Sequence, residues 1–238
     1  IAAEKEAAIK NRLKLLNLPA SLKKAKLAQI DLDDLGRLPI FERLYAFVDL
    51  YPSIRKGLYL YGDFGVGKSF MMAALAHDLS EKRGASTTIL HYPSFVIDVK
   101  NAIGEGSVKT LVDDIKLAEV LVLDDIGAEQ STPWVRDEIL QVILQYRMQE
   151  DLPTFFTSNF NFQDLEKHFD LKRSSISLML NNMEKNDFYK DIAKEGYGYV
   201  TDYKGVRSEM YYIPQVSQLP ESLQHSPWTA ATCIEFLT

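Results

Sequence analysis

The sequence predicts an α/β fold, a parallel sheet with helices on both faces, and three observations predict it. First, short β-rich runs alternate with helical stretches from residue 57 to about residue 169. Second, Gly62-Asp-Phe-Gly-Val-Gly-Lys-Ser69 follows the apolar run Gly57-Leu-Tyr-Leu-Tyr61 and opens a helix at Lys68. That is a phosphate-binding loop in its proper context of strand, glycine turn and helix. Third, Val120-Leu-Val-Leu123 is a continuous apolar run, as expected of a strand buried on both faces, and it ends in Asp124-Asp125.

Taken in order, residues 1–28 read as a basic helix carrying Lys10, Arg12, Lys14, Lys23, Lys24 and Lys26. They form either a solvated face or a contact for DNA or a partner. An amphipathic helix over 37–50 stops near Pro52. The strand 57–61 feeds the loop and a helix from Lys68 to Arg83, which Gly84 is placed to end in the left-handed conformation. Ser86 to Tyr92 reads as the next strand, followed by helices at about 94–103 and 107–116. Over 133–148, Val135, Ile139, Val142, Ile143 and Tyr146 recur at helical spacing and are expected in the core. Thr154 to Ser158 is a strand and 161–169 a short helix. Tyr197–Tyr203 and Val206–Ile213 can pair as a hairpin around Lys204-Gly205. Residues 214–238 carry little periodicity.

Composition narrows the function. With 238 residues and 46% apolar content, the chain can bury a sizeable core. A net charge of −6 argues against strong unspecific binding to duplex DNA. Cys233 is the only cysteine, so an internal disulfide and a cysteine-based zinc site are excluded, and the four histidines lack metal-ligand spacing. No apolar run is long enough to span a bilayer and no secretory signal is visible, so a cytoplasmic setting is the expectation.

The chemistry rests on three strand ends. Gly62, Gly65 and Gly67 let backbone N–H groups converge on phosphate oxygens, with Asp63, Phe64 and Val66 completing the loop. Lys68 reaches the terminal phosphates and the Ser69 hydroxyl can ligate Mg²⁺. Asp124 is the expected Mg²⁺ partner through water. Asp125 is the candidate to orient or deprotonate an attacking water. Asn159 ends the strand Thr154–Ser158, where it either contacts the water and γ-phosphate or caps the next helix.

Tyr59 to Ser69, His91 to Asn101, Leu123-Asp-Asp-Ile-Gly-Ala-Glu129 and Thr157-Ser-Asn159 together resemble the DnaI-type helicase loaders of the primosome. These form a branch of the AAA+ ATPases close to DnaC and to the IstB transposition helpers. The resemblance covers about residues 28–170. It implies a sheet of order 5-1-4-3-2, ATP and Mg²⁺ as cofactors, and ATP-controlled placement of the replicative DNA helicase on single-stranded DNA. It divides the chain into a basic helical linker (1–28), an AAA+ ATPase core (29–170) and a divergent C-terminal segment (171–238). Asn159 matches the sensor residue, and Asp124 and Asp125 match the second nucleotide motif. Many AAA+ enzymes carry Glu where Asp125 stands, and the shorter arm implies slow turnover. An arginine from a neighbouring subunit usually completes such sites, which implies self-association or assembly on the helicase. Arg173 lies near the family position, with Arg147 second. Tyr92, Phe95 and Lys100 are the candidates for single-stranded DNA. Two alternatives remain: an IstB-like helper that would bind duplex DNA, and a nucleotide-binding interaction module with little hydrolysis.

Overall fold

The computed structural model describes residues 9, 11–32, 37–53, 55, 57–129, 132–161, 164, 165 and 167, and the strand backbone of 199–203 and 206–213. Its strands are β1 (Leu13–Leu16), β2 (Tyr59–Gly62), β3 (Thr87–His91), β4 (Val120–Asp124), β5 (Thr154–Ser158), β6 (Tyr199–Tyr203) and β7 (Val206–Ile213). They form one sheet of order β1-β3-β4-β5-β2-β7-β6. Among the described strands only the β6–β7 pair is antiparallel. The five central strands, β7-β2-β5-β4-β3, have the expected 5-1-4-3-2 order.

Strand periodicity divides the core in two. Leu58, Leu60, Val120, Val122 and Phe155 point to one face, where α1 (Leu38–Leu50) and α2 (Lys68–Asp78) cover them. Tyr59, Tyr61, Leu121, Leu123 and Phe156 point to the other. There they meet α3 (Tyr92–Glu105), α4 (Val108–Lys116) and α5 (Gln141–Gln149). Both faces are apolar and buried, which is why these strands read as continuous hydrophobic runs. After Asp78 the backbone winds wider over Leu79–Arg83 and stops at Gly84, whose φ of 70° is the left-handed ending the sequence called for. Among the described residues no helix is long and apolar enough to cross a membrane.

Two expectations are corrected. Residues 1–28 were expected as helix, but Leu13–Leu16 pairs in parallel with β3. The exposed edge of β3 offers a row of unpaired backbone groups, and pairing there outweighs local helix preference. The leucines then alternate, Leu13 and Leu15 toward one core and Leu16 toward the other. The second correction concerns the long helix, where Val142 is 45% exposed and Ile143, Leu144 and Arg147 are buried. The helix is wound wide over Val135–Leu140, and such a turn inserts one residue. Beyond it the buried face is carried by Leu140, Ile143, Leu144 and Arg147, one position later than the uninterrupted period predicts.

Gly57 lies where the chain enters β2 beside β5. A Cβ there would sit 1.9 Å from the Thr154 carbonyl oxygen and 2.5 Å from its carbon. These are backbone atoms of a central strand and cannot move aside. Gly57→Ala is expected to cost about 2 kcal/mol or more, read as a lower urea midpoint at unchanged slope. An unchanged midpoint would show that the β2–β5 approach is looser than described.

Candidate nucleotide site

The parallel register carries the polar ends of four strands to one edge of the sheet. Tyr61 stands beside Ser158, and His91 beside Asp124. Ligands of open α/β sheets bind outside such carboxyl ends.

The loop leaves β2 at Gly62. Gly65 and Gly67 take φ values of 84° and 99°, which a side chain at either position would strain. An added Cβ at either would meet no protein atom within 4 Å, so open space lies over the turn. Asp63, Phe64 and Gly65 are exposed, Phe64 at 87%, while Val66 is buried under the loop. Gly67 accepts the first bond of the α2 ladder, from Met71 N–H at 2.9 Å.

Lys68 is only 6% exposed. Its ammonium donates to the carbonyls of Gly62 and Asp63 and to Asn159 Oδ1, each at 2.8 Å. Burial lowers its pKa from the ordinary value, and Asp125, Asp124 and Asp63 work against that shift. Ser69 Oγ donates to Asp124 Oδ2 at 3.0 Å and Thr157 Oγ1 to Asp124 Oδ1 at 2.7 Å. Burial raises the Asp124 carboxyl, with those two hydroxyls opposing it. A carboxylate 2% exposed and held chiefly by neutral hydroxyls fits a cation as its further partner, and the Ser69 and Asp124 oxygens are hard donors of the kind Mg²⁺ takes.

Asp125 has a left-handed backbone, with φ 60°. Its N–H donates to Thr157 Oγ1 at 2.8 Å, which holds that conformation. Asn159 Nδ2 reaches Asp125 Oδ1 at 3.3 Å. Asn159 therefore stands between Lys68 and Asp125, one end of its amide on each. The helix-capping alternative falls to Asn161, whose Oδ1 accepts from Asp164 N–H at 2.9 Å.

Two site residues escaped the sequence reading. Thr157 fastens both aspartates, and His91 Nε2 lies 4.0 Å from Asp125 Oδ2 with its Nδ1 2.8 Å from Ser94 Oγ. The available signal was position, since both are polar residues at strand carboxyl ends beside the acid pair.

Tyr92, Phe95 and Arg147 are not placed as expected. Tyr92 and Phe95 are each 1% exposed and pack in the core under β3 and β4, so neither presents a face to a base. Lys100, on the same helix, is exposed. Arg147 is fully buried and cannot serve a neighbouring subunit. Its guanidinium donates to the carbonyls of Lys116, Ala118 and Pro153 and to Thr154 Oγ1, at 2.5–3.1 Å. Arg173 lies outside the described residues.

A glycine loop at the start of α2, an acid pair ending β4 and a polar β5 terminus, set on a 5-1-4-3-2 sheet, define a P-loop domain of the AAA+ class. The chain belongs to the family described as IstB-like ATP binding protein, whose pattern matches residues 20–183. It is 43% identical over 159 residues to the replicative helicase loader DnaI of Bacillus subtilis (strain 168), covering 66% of this chain and 51% of that protein. The chain thus spans about half the length of that relative. It is similar to the crystal structure of DnaI, with 35% identity and a TM-score of 0.67 over 86% of this chain and 97% of that one. The DnaC helicase loader shares the fold at 20% identity, with a TM-score of 0.62 over 82% of this chain and 99% of that one.

Proposed function

We propose that this chain is the ATPase domain of a helicase loader, which uses ATP to place the replicative DNA helicase on single-stranded DNA. The observation that carries the proposal is the continuous array Lys68–Asn159–Asp125 beside Ser69–Asp124, in a chain similar to DnaI across the core.

The chain's residues divide the work. Backbone N–H groups of the loop and the start of α2 receive the phosphates. Lys68 carries the positive charge for the terminal phosphates, which it can reach by releasing one of its present acceptors. Ser69 and Asp124 would hold Mg²⁺, which when bound neutralises charge on the phosphate oxygens. Asp125, at the open side of the acid pair, orients the attacking water and accepts its proton. Asn159 ties that carboxylate to Lys68, so loss of the lysine contact is felt at Asp125. An arginine from a second subunit, with Arg173 as the candidate, completes the site and is worth about three to five powers of ten in rate in other nucleotidases. The isolated chain then turns over slowly and accelerates on assembly.

The test is ATP turnover by this chain alone, with single-stranded DNA and with the helicase, beside Asp125→Asn. The variant is expected to keep ATP binding and lose turnover by about 10²-fold. Helicase retained on single strands should rise with ATP. Equal rates in chain and variant would remove Asp125 from the mechanism. Preference for duplex DNA would favour the transposition-helper reading, and ATP binding without turnover in any mixture would favour an interaction module.

A further inference from the structure

At the opposite end of α2 from the phosphate loop, His77, Asp78 and Glu81 bring a ring nitrogen and two carboxylate oxygens within 4.8 Å of one another. We propose that these three side chains bind a divalent transition-metal ion of the zinc class. The cluster is one helix length from Ser69, about 15 Å at 1.5 Å rise per residue, and is independent of the nucleotide reading.

The cluster is built and incomplete. Asp78 is 2% and His77 9% exposed. His77 Nδ1 and Asp78 Oδ1 are both buried without a hydrogen-bond partner. Buried polar atoms without partners are rare, and two facing each other call for a third party between them. His77 Nδ1 lies 3.9 Å from Asp78 Oδ1 and 3.6 Å from Glu81 Oε2, too far for either to be a hydrogen bond. They are close to the spacing of two ligands on one ion, roughly 3.4 Å across a tetrahedral edge with metal bonds of about 2.1 Å.

The donor set selects the ion. One imidazole and two carboxylates suit zinc and its neighbours better than Mg²⁺, which prefers oxygen alone and keeps its waters. The two lysines at the cluster do not occupy the unpartnered atoms. Lys82 Nζ lies on Asp78 Oδ2 at 2.8 Å and leaves Oδ1 to the ion. Lys26 Nζ donates to Glu81 Oε2 at 2.9 Å, and a carboxylate oxygen carries two lone pairs. A bound ion would tie the last turn of α2 to the widened turn that follows it.

The experiment is equilibrium dialysis of the chelator-treated chain against ZnCl₂, without nucleotide, with His77→Gln, Glu81→Gln and Lys68→Ala alongside. One zinc per chain is expected, about tenfold or more weaker in each cluster variant and unchanged in Lys68→Ala. Zinc should also raise the melting temperature of the wild-type chain and not of His77→Gln. Nitrogen NMR of the histidine rings in the wild-type chain gives a readout needing no variant, with His77 Nδ1 shifting on zinc addition. No bound zinc, binding undiminished in both cluster variants, or an unmoved His77 ring would each overturn the proposal.

Discussion

Lys68→Ala is expected to lower ATP turnover by about 10²-fold or more with the fold intact. A lysine ammonium has three donors, and all three are in use, on Gly62 O, Asp63 O and Asn159 Oδ1. The side chain is therefore held beside the loop before any nucleotide arrives and meets a phosphate by giving up one of these acceptors. A positioned donor acting in a water-poor site is worth about 10²–10³ in rate. Alanine removes both the charge and the link through Asn159 to Asp125. The stability cost should be about 1–3 kcal/mol, because the buried Gly62 carbonyl loses this donor, whereas Asp63 is exposed and water can reach its carbonyl. Phosphate release measured beside a thermal melt separates the two effects. Turnover within about twofold of wild type would show that this loop is not where hydrolysis occurs.

Arg147→Met should leave the site chemistry alone and destabilise the chain by about 3–5 kcal/mol. The guanidinium is fully buried, and burial lowers its pKa. Its acceptors are mostly main-chain carbonyls: Lys116 at the end of α4, Ala118 just after it, and Pro153 before β5. Methionine fills much of the volume and satisfies none of them. Exchanging both partners of a buried pair for apolar groups can be neutral, but backbone carbonyls cannot be exchanged, and each one orphaned costs about 1–3 kcal/mol. Lysine at this position would recover part of the loss, since its three donors lack the planar fork. Urea unfolding measures the change, and a drop in melting temperature of roughly 10 °C is expected for a chain of this size. An unchanged urea midpoint would mean that water already serves those carbonyls.

What the sequence disclosed follows from what each feature depends on. The phosphate loop was legible because glycines at fixed offsets and the following Lys-Ser are a local requirement, written in consecutive residues. The central strands were legible because burial on both faces leaves unbroken runs such as Val120–Leu123. Leu13–Leu16 was not, because four residues of mixed pattern become a strand only when β3 offers its edge. Tyr92 and Phe95 were misassigned as DNA contacts although their spacing with Val96, Val99 and Ala102 was that of a buried helix face. The aromatic character drew the reading away from the period. Thr157 and His91 were missed because their importance lies in register with Asp124 and Asp125, which is fixed by strand pairing and not by neighbours in the chain.

The widened turn at Val135–Leu140 makes the address of Arg147 a matter of counting. One surplus residue upstream rotates everything after it by about 100°. The wide turn takes up that rotation: remove the surplus residue, and the helix tightens while Ile143, Leu144 and Arg147 keep the faces they now present. A single-residue deletion in this stretch would thus leave the anchor in place, whereas a residue added to it would turn the guanidinium away from its carbonyls. Chains of this fold with a helix one residue shorter should carry their arginine one position earlier and still bury it, so that the insertion can be gained or lost without disturbing the anchor.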